Sequence, residues 1–350
     1  MTAGQVCGPL RMHVALESWP LAEPFTITGR TWVSIETIRV DLETQGCLGS
    51  GEAAGVYYRQ ETPQTMAREI EQIRARVEKG IDRRALQDLL PAGGARNALD
   101  CALWDLDAKL TGRPVWKLAE LEPPRPLLTT FTCGAADPDV MAEIARGAYA
   151  GAHALKLKLT GEAVDAERVR AVRAARPEVW LGIDANEGFD LRKLHILMPT
   201  LVDARVELIE QPFPVGQESW LDGLCSPIRI AADESVQGIR DLELVRNRFQ
   251  VVNIKLDKCG GLTEALSMAR LARSLGLDVM VGNMLGTSLA MCPAFLVGQL
   301  CDVADLDGPL GLKSERPYVV QYLNGRIECP EEAWGYPAAR NPAPSPRASS

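Results

Sequence analysis

From Met12 to about Val56 apolar and polar residues alternate, with a β-branched run from Thr31 to Val40 and Gly-containing turns between runs. A period of two suits half-buried strands, so this stretch predicts an antiparallel meander. The period then changes. Met66, Ile70, Ile73 and Val77 fall at helical spacing within Gln64 to Lys79. Ala98, Leu99, Ala102, Leu103, Leu106 and Leu110 repeat that spacing until Gly112 and Pro114 break it. Strands followed by helices predict an α+β domain.

The Pro-rich segment Glu122-Pro123-Pro124-Arg125-Pro126 marks a boundary. Beyond it, short apolar runs near 127–133, 154–159, 180–184, 206–210, 228–233, 251–255, 279–282 and 302–305 alternate with helix-length segments. Eight strands with helices between them predict a closed parallel barrel of the (β/α)7β TIM type, with its active site at the C-terminal strand ends. The expected division is an α+β domain over 1–122, completed by about 312–335, and a barrel over 123–311. The Pro-, Ala- and Ser-rich end, 336–350, is expected to be a disordered tail.

The 350 residues are 46% hydrophobic and 24% charged, near the globular average. A net charge of −8 provides no basic footprint for a phosphate backbone, so nucleic acid is not an expected partner. The N-terminus lacks the basic and apolar regions of a leader, and no run approaches eighteen apolar residues, so no membrane partner and a cytoplasmic location are expected. The exposed faces of barrel helices look alike whether solvated or paired, which leaves a homo-oligomer open. Nine cysteines at irregular spacing read as reduced thiols, and the three histidines are far apart. The chemistry has to be sought among carboxylates and lysines.

Asp184 in LGIDAN, Glu210 in ELIEQP and Asp233 in IAADES end three consecutive predicted strands, which in a barrel converge on one mouth. Three carboxylates without His or Cys suit a hard cation such as Mg²⁺. In the strand before them, Lys156 and Lys158 share one face opposite Leu155, Leu157 and Leu159. Lys255, in VVNIKLDKCGG on the sixth strand, faces inward by the same argument. A second ammonium and a divalent cation nearby are expected to lower a lysine pKa toward that of a useful base. A metal with one lysine on each side of its ligand suits removal of a proton α to a carboxylate and its return to the opposite face.

The ordered motifs Lys156-x-Lys158, Asp184-x-Asn186, Glu210-Gln-Pro, Ala-Asp233-Glu-Ser and Asn-Ile-Lys255 resemble the muconate-lactonizing subgroup of the enolase superfamily over about residues 12 to 330. The resemblance implies that Lys158 and Lys255 are the acid/base catalysts, that Lys156 supports Lys158, and that the three acids bind Mg²⁺ with Asn186 behind them. It also implies that the N-terminal domain caps the barrel. No histidine stands near 278–282, unlike the mandelate racemase pattern. Asp305-x-Asp307 resembles the signature with which dipeptide epimerases hold a substrate ammonium. Pro24 to Arg30 resembles the mobile loop of Ala-Glu epimerases, where an arginine meets the glutamate side chain. Thr132, Asn283, Met284 and Leu285 lie where that family places substrate contacts. The implied activity is epimerisation of a small dipeptide such as L-Ala-D/L-Glu, in murein-peptide recycling, through an enediolate. An o-succinylbenzoate synthase or N-succinylamino acid racemase would use the same metal and lysines, and a non-catalytic binding homologue would keep the fold alone.

Overall fold

A computed structural model of the chain describes residues 9–337. Residues 338–350 of the expected tail, and Cys7, lie outside that range. The N-terminal region is a three-stranded antiparallel sheet of β1 (Arg11–Ile27), β2 (Arg30–Thr44) and β3 (Cys47–Ala53), followed by helices α1 (Pro63–Glu78), α2 (Arg83–Leu89) and α3 (Gly94–Thr111). Alternation along β2 buries Ile38, Val40 and Leu42 against the helices. Thr62 caps α1, accepting from the Thr65 amide at 3.2 Å, and Pro63 fills the first turn, where no donor is needed. The sheet and α3 approach closely because β3 carries Gly49 and Gly51. A Cβ at these positions would lie 2.4 and 2.1 Å from the backbone oxygens of Ala102 and Ala98.

After the short helix α4 (Val115–Leu118) and strand β4 (Leu127–Leu128), the barrel strands are β5 (Phe131–Cys133), β6 (Ala154–Lys158), β7 (Trp180–Asp184), β8 (Leu208–Glu210), β9 (Arg229–Ala232), β10 (Val251–Lys255), β11 (Asp278–Gly282) and β12 (Val303–Ala304). They pair in parallel in sequence order. A parallel bridge between Thr129 and Ala304, with the Thr130 amide donating to Ala304 at 2.9 Å, joins the last strand to the start of the first. The run read as one strand over 127–133 is therefore split. Leu127 and Leu128 pair antiparallel with β14 (Arg326–Glu328), itself paired with β13 (Gln321–Leu323), before the chain turns into the barrel. Register sets Lys158, Asp184 and Glu210 side by side on β6, β7 and β8.

The cap is fixed to the barrel by buried polar contacts. Glu52, fully buried on β3, accepts from the Thr287 amide (2.7 Å) and hydroxyl (2.5 Å) and from Arg316 Nε (3.1 Å). Burial pushes its carboxyl upward, against the pull of Arg316. Arg316 also pairs with Glu17 and lies over the Trp19 ring. At the opposite edge, the Gly55 amide donates to Asp257 (2.8 Å) and the Thr263 amide to Asp100 (2.9 Å).

Replacing Arg316 with Leu leaves Glu52 buried without its cation, a change that costs about 3 kcal/mol. Urea unfolding should show that loss, and a change below about 0.5 kcal/mol would mean that Arg316 does not hold the two layers together.

Candidate active site

The site forms where β6 to β10 end beneath the cap. Asp184, Glu210 and Asp233 are buried, and one carboxylate oxygen from each lies within 4.8 Å of the others. Lysines surround this triad. Lys158 Nζ donates to Asp184 at 2.6 Å and Lys255 Nζ to Asp233 at 2.6 Å, so a lysine stands at each end of the row of acids. Lys156 Nζ donates to Glu210 at 3.2 Å and to Asp305. The fully buried Lys258 donates to Asp233 and, at 3.0 Å, to the Asn253 carbonyl. Asn253 Nδ2 donates to Glu210 at 2.6 Å.

Charge governs the titration of these groups. Burial, then the Asp184 charge, pushes Glu210 up to about 7. Burial, then Asp233 and Asp184, pushes Glu234 up to about 8. Asp233 is buried too, yet Lys255 and Lys258 together hold it well below the carboxylate range. For Lys156 and Lys255 burial works downward, but the carboxylates facing them prevail and hold both well above the ordinary lysine range. With the acids alone, the expected lowering by a second ammonium and a divalent cation is not seen, because acids are the nearest charges. A divalent cation on the same acids would take up that negative charge and let the lysines fall.

The triad fits such a cation. One carboxylate oxygen from each acid lies within 4.8 Å of the others, Glu210 is pushed upward by burial and by the Asp184 charge, and all three offer hard oxygen donors. Asp184, Glu210 and Asp233 would hold Mg²⁺, which would supply positive charge for substrate carboxylate oxygens.

A cavity of about 370 Å³ lies between the cap and this centre. Lys156, Lys158, Lys255, Asn186, Asp305 and Asp307 line its barrel side. Thr132, Asn283, Met284, Leu285 and Arg30 also reach it, so the structure brings every sequence-predicted site residue to this cavity or to the triad at its floor. Both oxygens of Asp305 are engaged, by Thr130 and Lys156, and Asn283 Nδ2 donates to the Asp305 carbonyl at 2.6 Å. Asp307 accepts from the Thr132 amide at 2.6 Å and is the freer of the two. Burial and the Asp305 charge push it up to about 6.

Residues 24–30, expected as a loop, form the end of β1 and a turn into β2. Thr28 Oγ1 reaches the carbonyls of Leu159 (3.1 Å) and Ala185 (3.2 Å), which seats this hairpin on the barrel mouth. Arg30 stacks near Trp32 and Tyr57, 4.8 and 4.9 Å from their ring centroids. The sequence reading missed Lys258, Asn253, Glu234 and this aromatic pair. Lys258 lies three residues after Lys255, one helical turn on, and that spacing was the available signal.

The fold and site together define a capped parallel barrel of the enolase type. The chain belongs to the mandelate racemase / muconate lactonizing enzyme family: residues 10–119 match its N-terminal domain and residues 139–336 the enolase C-terminal domain-like family. It is 38% identical over 312 residues to L-Ala-D/L-Glu epimerase of Escherichia coli K12, covering 89% of this chain and 97% of that one. It is 41% identical over 242 residues to N-acetyl-D-glutamate racemase of a Pseudoalteromonas species, covering 69% and 76%. An enolase family member from Agrobacterium tumefaciens, solved with sodium and L-Ala-L-Glu, superimposes with a TM-score of 0.90 at 40% identity, covering 93% and 100%. Dipeptide epimerases of the same fold have been solved with Mg and a dipeptide, at 30% and 29% identity.

Metal binding is the direct test of the triad. Mn²⁺ titration followed by electron paramagnetic resonance should show one tight site, which Asp233→Asn weakens about ten- to a hundredfold. Equal affinity in the variant would exclude Asp233 as a ligand.

Proposed function

We propose that this protein is a magnesium-dependent dipeptide epimerase that inverts the α-carbon of the C-terminal residue, with L-Ala-D/L-Glu as substrate. The observation that carries this reading is the placement of Lys158 and Lys255 at opposite ends of the acid triad, both opening onto one cavity. Mg²⁺ held by the triad would supply the positive charge for a substrate carboxylate, and a carboxylate placed there has its α-carbon between the two amines. One amine takes the α-proton and the other delivers a proton to the opposite face, which inverts the centre. Lys156 stays protonated among Glu210, Asp305 and Asp184 and stabilises negative charge beside Lys158.

Asp307, with Asp305 behind it, is the trap for a free α-ammonium, and Thr132, Asn283, Met284 and Leu285 shape the wall around the peptide. Arg30 faces the side chain of the second residue, where its planar fork suits a carboxylate. In this reading the cap, residues 1–122 with 312–335, closes the barrel, 123–311, and excludes water from the amines. A cytoplasmic location belongs to it, supported by eight cysteines that are free thiols among the described residues. No helix in the described range is long and apolar enough to cross a membrane.

The racemase relative favours a second reading, an N-acylated amino acid as substrate. The two readings differ at Asp307. Its raised pKa means that it becomes neutral as pH falls through about 6, so it loses its hold on an ammonium at a higher pH than an ordinary aspartate would. KM for L-Ala-L-Glu should therefore rise below that pH, and N-acetylating the dipeptide should lower kcat/KM at least about tenfold at pH 8. Faster turnover of N-acetylglutamate than of L-Ala-L-Glu would overturn the dipeptide assignment.

A further inference from the structure

We propose that Glu234 positions Lys158 through Asn186, and thereby sets the rate of proton transfer on one face of the substrate only. The proposal rests on the epimerase reading above. Lys158 Nζ donates to Asn186 Oδ1 at 3.1 Å, and Asn186 Nδ2 donates to Glu234 Oε1 at 3.1 Å. These partners fix which way the amide points. The lysine offers N–H groups to its neighbour, and a carboxylate oxygen accepts, so the Asn186 oxygen must face Lys158 and its NH₂ must face Glu234. Without Glu234 the amide is free to turn over and present N–H groups to the amine, displacing it.

Two further features show that this arrangement is held against a cost. Asn186 adopts a left-handed backbone conformation, φ +40°, with its amide bonded to Asp184 at 2.9 Å. Glu234 is only 4% exposed, and its Oε2 has no hydrogen-bond partner among the described residues. A carboxyl group buried with one oxygen unpaired stabilises nothing by itself, which points to a role through the group it does contact. The other amine has no such hydrogen-bonded chain, and Glu234 reaches it only through its charge, one of several that hold Lys255 up. Lys255 bonds to Asp233, and no second side chain within the described range accepts from it. The two faces of the substrate are thus served by differently anchored amines. With Asn186 and Asp184 each holding an N–H, the remaining direction of Lys158 Nζ opens to the cavity.

The experiment follows α-proton exchange in D₂O separately for each epimer of Ala-Glu by NMR, with Lys158→Ala as the reference that identifies the epimer deprotonated by Lys158. Glu234→Met, which removes the acceptor at similar length, should slow exchange of that same epimer about tenfold and leave the other within about twofold. Glu234→Gln keeps an oxygen for Asn186 and should restore most of the rate. Asn186→Ala should reproduce the one-sided loss, and adding Glu234→Met to it should cost nothing more, because the two residues act in series. Mn²⁺ affinity should stay within about twofold of wild type in every Glu234 variant, which separates positioning from damage to the metal site. Should Glu234→Met fail to fold, Asn186→Ala and Glu234→Gln carry the test. Equal loss on both epimers, no rescue by Gln, or metal affinity falling in step with rate would overturn the proposal. If wild-type protein exchanges neither epimer, the epimerase reading itself fails.

Discussion

Three carboxylates cannot share a buried site without compensating positive charge, and the rest of this structure follows from that constraint. Asp184, Glu210 and Asp233 sit where adjacent strands end, and burial, then the charge of the neighbouring acids, raises Glu210 to about 7. Lys156, Lys158, Lys255 and Lys258 gather around them as a result. Two of the positive groups that make the cluster tolerable, Lys158 and Lys255, are those proposed to move protons. A cation held by these acids would compete with Lys158 and Lys255 for the same oxygens, so that binding of one would tune the other.

The barrel provides the register and the cap provides the enclosure. Lys158, Asp184 and Glu210 are neighbours because β6, β7 and β8 pair in step, so a shift of one residue would turn all of them away from the mouth. On the cap side, the β1–β2 turn is tied to the barrel by Thr28, and β3 by Glu52. Gly49 and Gly51 allow α3 to lie against β3 within the cap. The cavity is therefore enclosed between an acidic floor and a hairpin whose seat depends on a few polar contacts.

Much of this was legible in the sequence. The eight barrel strands announce themselves as short apolar runs, and acids at their ends mark the mouth because strand ends converge in a barrel. The lysine pair at 156 and 158 was legible by its period of two. What the chain alone did not reveal are properties that arise only on folding. Leu127 and Leu128 look like part of the first barrel strand because their composition suits any strand, but the partner they meet is β14, two hundred residues away. How strongly carboxylates hold the lysines up depends on how many lie nearby, and Asp305 arrives from the far end of the barrel. Glu234 was visible in the motif beside Asp233 yet had no assignable role, since its partner Asn186 comes from another strand end.

The central claim is that two amines act on opposite faces of one carbon, and the isotopic fate of the α-proton at early turnover tests it most directly. With L-Ala-L-Glu and then L-Ala-D-Glu as starting material in D₂O, mass spectrometry and NMR at low conversion should find deuterium at the α-carbon of the epimerised product from the first turnovers. Product that retains the original proton from either starting epimer would mean that a single base carries it across, contradicting the account.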